Sequence, residues 1–187
     1  MKKVLPILVF ALLLIFLLPL ACGKKSGSLN PSPGLSSDVL TLKGGPEGGA
    51  VLALQADDWD ALHAGSRVQV SITVSQAEDL YQFASRLTYD PARFKALEVI
   101  NGGFLGQEAL FIGAPRETGI VPIAGTIKFA GSGKNGDGVL ACVVFEKLVD
   151  GPVPESAIRF NEDMRYVRLR DSSKNDCEFS LIKGVLR

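Results

Sequence analysis

The alternation of apolar and polar residues is the feature that most constrains the fold. Between residues 67 and 74, Val68, Val70, Ile72 and Val74 share one side, and polar residues occupy the other. Strict alternation over eight residues is typical of a half-buried β-strand. Asp90-Pro91 and the Asn-Gly-Gly sequence at 101–103 are turn signals between such runs.

Further short runs with strand character recur along the chain. They lie at 50–54, 80–89, 94–100, 110–112, 119–130, 139–148, 157–160, 164–169 and 179–186. Helical periodicity is confined to 57–63 and 91–96. Short strands with regular turn signals predict an all-β protein. We expect a jelly-roll-like sandwich of about nine strands in two sheets over residues 50–187.

The N-terminus is typical of an exported protein. Lys2 and Lys3 precede an uncharged apolar run, 4–21, that contains Pro19 and ends in the small Ala21. A charged start, an apolar stretch and a small residue before the cleavage point indicate a signal peptide, residues 1–21. A retained transmembrane anchor is the alternative, although Pro19 disfavours a continuous helix. The Gly-, Ser- and Pro-rich residues 22–49 are predicted to be a flexible tether, in which 39–42 is a possible short strand.

The sequence around Cys22 resembles the lipobox of bacterial lipoproteins. That resemblance implies that the Cys22 thiol carries a diacylglycerol, which would anchor the protein to the membrane. Pro19 departs from the usual pattern, which has Leu at that place. Gly23 is not the Asp that retains lipoproteins at the inner membrane of enteric bacteria, so the resemblance implies the outer membrane if the cell has one. Plain secretion remains an alternative.

The remaining cysteines leave two possibilities open. With Cys22 acylated, Cys142 and Cys177 are an even pair that an exported protein can bridge. Two buried free thiols are the alternative, because free cysteine is common in protein cores.

Composition excludes several functions. Twenty basic residues balance twenty acidic ones, so a broad basic surface for nucleic acid is not expected. The single histidine, His63, rules out a histidine-rich metal site. Acidic residues flank Trp59, at Asp57, Asp58 and Asp60, and could be proposed as a glycosidase acid/base pair. A solvated turn with Trp59 covering the core is the favoured interpretation, and no catalytic residue, metal or cofactor is predicted.

The order of the motifs resembles the cohesin family and its carbohydrate-binding-module relatives. A strand closes in Leu87-Thr88-Tyr89-Asp90-Pro91, and a later one runs from Gly138 through Leu140-Ala141 to Phe145. The resemblance covers about 51–171, and the segment from about 155 fits poorly. It implies a non-catalytic jelly-roll sandwich that binds a dockerin or a polysaccharide.

Alternation also predicts a binding face. Phe83, Leu87 and Tyr89 should point into the sandwich, and Ile127 and Phe129 should point away from the side that carries Lys128. The candidate protein-binding residues on the outward side are Gln82, Arg86, Thr88, Thr126 and Lys128.

We therefore expect a membrane-tethered, non-catalytic module that binds a protein, either a dockerin-like partner or another envelope protein. The alternative is a polysaccharide-binding lipoprotein that uses aromatic stacking platforms, for which the candidates are Trp59, Tyr81 and Tyr166. An envelope-associated hydrolase is the third and least favoured possibility.

Overall fold

The structure of the chain, a computed structural model, describes residues 39–42, 49–161, 163 and 165–186. Within these residues, ten strands are joined by hydrogen bonds into one mixed sheet. In chain order they are β1 (Val39–Leu42), β2 (Ala50–Ala56), β3 (Arg67–Tyr89), β4 (Phe94–Asn101), β5 (Leu110–Gly113), β6 (Ile120–Thr126), β7 (Lys134–Lys147), β8 (Ile158–Phe160), β9 (Arg168–Asp171) and β10 (Phe179–Leu186). A 3₁₀ turn, Glu155–Ala157, precedes β8.

Strand β3 belongs to both layers of the sandwich. Its N-terminal part lies between β2 and β7, in a layer that we call the back sheet, ordered β1-β10-β2-β3-β7-β4. Its C-terminal part pairs with β6 on one side and with β8 and β9 on the other. With β5 beyond β6, these strands form the front sheet. Neighbouring strands are antiparallel except for β10 and β2, which are parallel.

The transition between the sheets is a bend in β3. Gln76 and Asp79 have φ values of +55° and +48°, in the left-handed region that non-glycine residues rarely adopt. The Asp79 carboxylate accepts hydrogen bonds from the Ser172 hydroxyl at 2.5 Å and from the Gly133 backbone N–H at 2.5 Å. The Ser172 hydroxyl, followed by the backbone N–H of Gly133, holds the pKa of Asp79 below its usual value. The bend is thereby attached to the loops after β6 and β9.

The two sheets enclose one apolar core, as alternation predicts. Phe83 and Leu87 are buried, and Tyr89 packs against the core. Opposite Phe83 on β6 lies Gly125, and the Phe83 ring occupies the space that a Cβ there would need. The all-β sandwich is therefore confirmed.

The strand boundaries differ from expectation in two places. The predicted strands 67–74 and 80–89 form one strand, because the bend keeps pairing with β7 through Ala77 and Leu80. Strand β7 begins before the predicted run 139–148, because residues 134–138 pair with the bend of β3. The short strand at 39–42 is present as β1, which pairs with β10.

The predicted inward position of Phe129 is wrong. Strand β6 ends at Thr126, and the Ile127 N–H then donates to the Tyr81 carbonyl at 3.0 Å. The alternation therefore stops before Phe129, whose side chain is 67% exposed.

The bridge between Cys142 and Cys177, one of the two possibilities that the sequence leaves open, is not formed, because Cys177 is a free thiol. Cys142 lies on β7 of the back sheet, with its Sγ 3.5 Å from the Ser71 Oγ. Cys177 follows β9 of the front sheet, where its N–H donates to the Leu169 carbonyl at 2.9 Å. The two residues are thus attached to different sheets. The predicted signal peptide, 1–21, and Cys22 lie outside the described residues, as does most of the predicted tether.

Candidate binding face

The outer face of the front sheet is organised in rows by strand register. Gln82 pairs with Arg170 on one side and Thr126 on the other, and Leu110 pairs with Thr126. Directly paired residues in an antiparallel sheet place their side chains on the same face. This first row therefore runs from an arginine on β9 through polar residues to a leucine on β5.

The second row repeats this order with smaller residues at its centre. Ala84 pairs with Arg168 on β9 and with Ala124 on β6, and Ala124 pairs with Ile112 on β5. The floor of the face is flat here because two alanine methyl groups are all that project from β3 and β6.

One side of this face is cationic. Arg168 and Arg170 share one carboxylate, that of Asp176, at 3.6 and 3.1 Å. Further along β3, Arg159 on β8 lies opposite Thr88, and its Nε donates to the Thr88 hydroxyl oxygen at 3.4 Å. We call Arg159, Arg168 and Arg170 the arginine edge, and Arg86 lies beside it on β3.

Arg86 is held in place by Tyr166. Its guanidinium carbon lies 3.6 Å from the centroid of the Tyr166 ring, a cation–π geometry that keeps the charge on the surface. Next to Tyr166, Arg165 forms an ion pair with Asp163 at 2.6 Å. The Arg165 hydrogen bonds, and then the charges of Arg165 and Arg86, lower the pKa of Asp163 to about 2. Asp163 is therefore ionised wherever the protein is folded at ordinary pH.

The other side of the face is aliphatic. Leu110 and Ile112 on β5 are 56% and 57% exposed, whereas Phe111 between them packs against the core. Single exposed apolar residues are common, but two neighbours on one strand form a patch. Leu110 and Ile112 together are called the aliphatic edge below.

The predicted binding residues are brought together in part. Gln82, Arg86, Thr88 and Thr126 share the outer face, as alternation predicted. Lys128 lies beyond the end of β6, and its Nζ is 5.6 Å from the centroid of the Phe129 ring. Whether these residues bind a partner remains a prediction.

The sequence interpretation missed the residues at both sides of the face, namely Leu110, Ile112, Arg159, Arg168 and Arg170. The alternation at 168–170, with Leu169 buried between the arginines, could have indicated that Arg168 and Arg170 both face outward. Nothing local indicates that β9 pairs with β3, because that contact joins residues far apart in the chain.

Trp59 is not a sugar-stacking platform, because its side chain is 0% exposed. It covers the core, with its ring centroid 5.3 Å from that of Phe94, and its Nε1–H donates to the Val153 carbonyl at 3.0 Å. The acidic residues beside it fasten the turn: Asp58 accepts from the Asp60 N–H at 2.9 Å, and Asp60 from the Val153 N–H at 3.1 Å. These contacts support the structural interpretation of this segment.

The other stacking candidates lie on the front sheet. Tyr81 is half-buried, and its hydroxyl donates to the Phe129 carbonyl at 3.1 Å. One face of the Tyr166 ring is occupied by Arg86. A continuous aromatic platform is therefore not formed by the three predicted residues.

A pocket of about 330 Å³ opens beside the bend of β3 and is lined in part by Asp79, Asp171 and Cys177. Burial, followed by the charge of Asp171, raises the pKa of the Cys177 thiol to about 11. Within the described residues, no group of three or more histidine, cysteine or acidic side chains could hold a metal ion. The same part of the chain contains no helix long and apolar enough to span a membrane.

Comparison with known proteins identifies the fold. No family model and no curated protein matches this chain. Among solved structures, the second type II cohesin module of the adaptor scaffoldin ScaA from Acetivibrio cellulolyticus matches with a TM-score of 0.60 and 14% identity, over 73% of this chain and 88% of that chain. The domain has a cohesin-like fold.

Two further structures extend this comparison. Type II cohesin A11 of Bacteroides cellulosolvens matches with a TM-score of 0.58 and 13% identity, over 72% of this chain and 96% of that chain. A type II cohesin–X-dockerin complex from A. cellulolyticus gives a TM-score of 0.58 and 12% identity, over 71% of this chain and 95% of the matched chain. The cohesin-like fold predicted from the motifs is thus confirmed. At these identities the similarity concerns the fold.

Proposed function

We propose that this chain is a protein-binding module of the cell envelope and that it holds its partner on the outer face of the front sheet. The aliphatic edge carries the proposal, because Leu110 and Ile112 are exposed beside a floor of alanine residues. A flat surface with exposed aliphatic anchors suits a protein partner. The cohesin-like fold supports this function, since one matched structure is a cohesin–dockerin complex, and the partner we propose is of dockerin type.

A polysaccharide ligand receives less support. Trp59 is buried, and Tyr166 is covered on one face by Arg86. Sugar-binding surfaces rely on exposed aromatic rings, since the C–H faces of sugars are apolar.

The proposal can be tested with a displayed library of protein fragments from the genome that encodes this chain. The full chain, purified in detergent, is the bait, and a glycan array is probed in parallel. We expect dockerin-type fragments to be enriched, and Ala124→Arg to abolish their binding by filling the floor of the face. Gln55→Arg places the same side chain on β2 of the back sheet and should leave binding intact.

Two outcomes would overturn the proposal. One is enrichment of the same fragments by wild type and by Ala124→Arg. The other is retention on glycans with no enriched protein fragment.

Anchoring at the membrane is part of the proposed function and rests on the resemblance of 1–22 to a lipoprotein signal. Cys22 would carry the lipid, and the following residues would hold the domain away from the headgroups. Growth with an alkyne-labelled fatty acid should label wild type but not Cys22→Ser. Equal labelling of the two proteins would remove the anchor from the proposal.

A further inference from the structure

Strand β5 is an edge of the front sheet that carries no charged residue. Besides β1, which comes from the predicted tether, the described strands that pair on one side only are β4, β5, β8 and β9. Charged side chains on an edge strand discourage pairing with a further strand. Strand β4 carries Lys95 and Glu98, and β8 and β9 carry the arginine edge. With the sequence Leu-Phe-Ile-Gly, β5 lacks this protection.

The two faces of β5 have different surroundings. Phe111 packs against the core, and Gly113 lies against β4, where an added Cβ would meet the Val99 side chain. Leu110 and Ile112 lie on the outer face and are 56% and 57% exposed. The core and β6 therefore hold β5 in place, while its second edge and its aliphatic side chains are left for a strand from another molecule.

A second copy of β5 fits this edge when it runs antiparallel about a twofold axis at Ile112. Such an axis makes the interface isologous, so each pair of different residues occurs twice. In this register Ile112 lies beside Ile112 of the second copy, and Leu110 lies beside Ala114 of the second copy. Directly opposed side chains of an antiparallel pair have Cβ atoms about 4.5–5.5 Å apart and interact. The aliphatic edges of the two copies therefore join into one patch.

The charged residues that flank β5 favour a second copy as the occupant. Glu108 precedes the strand and Arg116 follows it, and both are exposed. Neither belongs to an ion pair within the described part of the chain. The register centred on Ile112 brings Glu108 of each copy opposite Arg116 of the other. Opposite charges across a strand pair stabilise it, and like charges destabilise it, so the edge is complementary to itself.

We propose that two copies of this chain join their front sheets through β5, with Ile112 on the twofold axis and Glu108 paired with Arg116. The inference goes beyond the proposed function, because the strands pair through their edges and leave Ala84 and Ala124 on the outer face. Two docking faces then lie in one continuous sheet. Four residues of strand make a small interface, so we expect a transient dimer that chemical trapping detects.

Disulfide trapping tests the register in the full chain, purified in detergent and carrying Cys177→Ser. Ile112→Cys places two thiols opposite each other, and opposed residues of an antiparallel pair have the Cα separation that a disulfide needs. After mild oxidation we expect at least about fivefold more covalent dimer than from Arg159→Cys, an exposed position on the opposite edge of the front sheet. Leu110→Cys should trap the dimer efficiently only when combined with Ala114→Cys.

Exchange of charges tests the flanking pair in the Ile112→Cys background. Glu108→Lys and Arg116→Glu each place like charges together at two symmetric positions, so we expect each variant alone to trap about tenfold less dimer. A mixture of the two variants has opposite charges at both positions and should trap the mixed dimer as efficiently as the parent. Mass spectrometry identifies the mixed dimer.

The outcomes separate this inference from the proposed function. Equal trapping from Ile112→Cys and Arg159→Cys overturns the β5 interface. Efficient trapping that both charge variants leave unchanged overturns the pairing of Glu108 with Arg116. Trapping is measured without any other protein present, so failure to enrich dockerin-type fragments overturns the proposed function and leaves the dimer, whereas failure to trap overturns the dimer and leaves the docking face.

Discussion

Two cationic side chains, Lys147 and Arg86, illustrate how differently this domain uses charge in its two sheets. The Lys147 side chain, at the end of β7, is 0% exposed. Its Nζ donates to the carbonyls of Trp59, Leu62 and Gly151 at 2.7, 2.8 and 2.7 Å. Arg86, on the front sheet, lies on the Tyr166 ring at the surface.

The comparison shows that the surroundings of a cationic side chain, not its residue type, decide its role. A buried cation stabilises the fold, and an exposed one can still bind a partner. The three protons of an ammonium group allow three hydrogen bonds, and Lys147 uses all of them within the chain. It thereby fastens the loop after β2 to the loop after β7. A guanidinium has five donors, and the flat contact of Arg86 with Tyr166 occupies its face and leaves those donors for other partners.

The largest expected effect comes from removing the buried ammonium group. Lys147→Met leaves the three carbonyls buried without a donor, so we expect a loss of about 3–5 kcal/mol in the free energy of unfolding. Urea denaturation measures this loss. Lys95→Met, at an exposed position of β4, is the control and should change the free energy by about 0.5 kcal/mol or less. Equal effects of the two substitutions would contradict the distinction between buried and exposed cations.

Leu87 and Arg86, which are adjacent on β3, test the contrast between a buried and a surface side chain on the front sheet. Leu87→Ala removes a fully buried side chain and should cost about 2–5 kcal/mol through the cavity that remains. Arg86→Ala should cost about 1 kcal/mol or less, since it removes one surface cation–π contact. Thermal unfolding of the two variants measures both losses of stability. A larger loss of stability for Arg86→Ala than for Leu87→Ala would mean that this arginine is part of the core.

Two serine residues extend the comparison to uncharged groups, with smaller expected effects on stability. The Ser85 Oγ is buried and has no hydrogen-bond partner, so Ser85→Ala should raise the free energy of unfolding by about 1 kcal/mol. Ser172→Ala removes the hydroxyl that donates to Asp79 and should lower stability. Chemical denaturation that showed both variants destabilised would indicate that the Ser85 hydroxyl does have a partner in solution.

The smallest effect concerns Cys177. Because burial raises its pKa to about 11 from 9.0, the reactive thiolate at pH 8 should be about a hundredfold rarer than in a free cysteine. Iodoacetamide labelling of the native protein should be slower by a comparable factor, as followed by peptide mass spectrometry. The unfolded chain ionises first as pH rises, so the domain should lose stability between about pH 9 and 11. If Cys177 were labelled as fast in the native protein as in the urea-unfolded chain, the thiol would not be buried as described.

Much of the fold could be predicted from local patterns. Alternation places Phe83 and Leu87 inside and Gln82 and Arg86 outside without knowledge of the neighbouring strands, because successive side chains of a strand project to opposite sides. The corner at Asp90 is equally local. Its carboxylate accepts from the Ala92 N–H at 2.9 Å, the kind of contact that favours Asp in turns.

The errors occurred where a pattern was extended beyond the element that produces it. Continuing the alternation of β6 past Thr126 places Phe129 in the core, but the strand ends at Thr126 and Phe129 is exposed. The even number of cysteines left besides Cys22 makes a bridge between Cys142 and Cys177 one of two possibilities, and it is not formed. Their separation on different sheets depends on chain topology, which local sequence does not encode.

The sequence by itself determined that the chain forms strands, which side of each strand faces the core and where most turns occur, because these properties depend on residues close together along the chain. Only the tertiary structure decided that the arginines of β8 and β9 lie beside β3 and that Leu110 and Ile112 lie across from them. It also placed three carbonyls around Lys147. These arrangements join segments far apart in sequence, and their registers are set by the packing of one shared core.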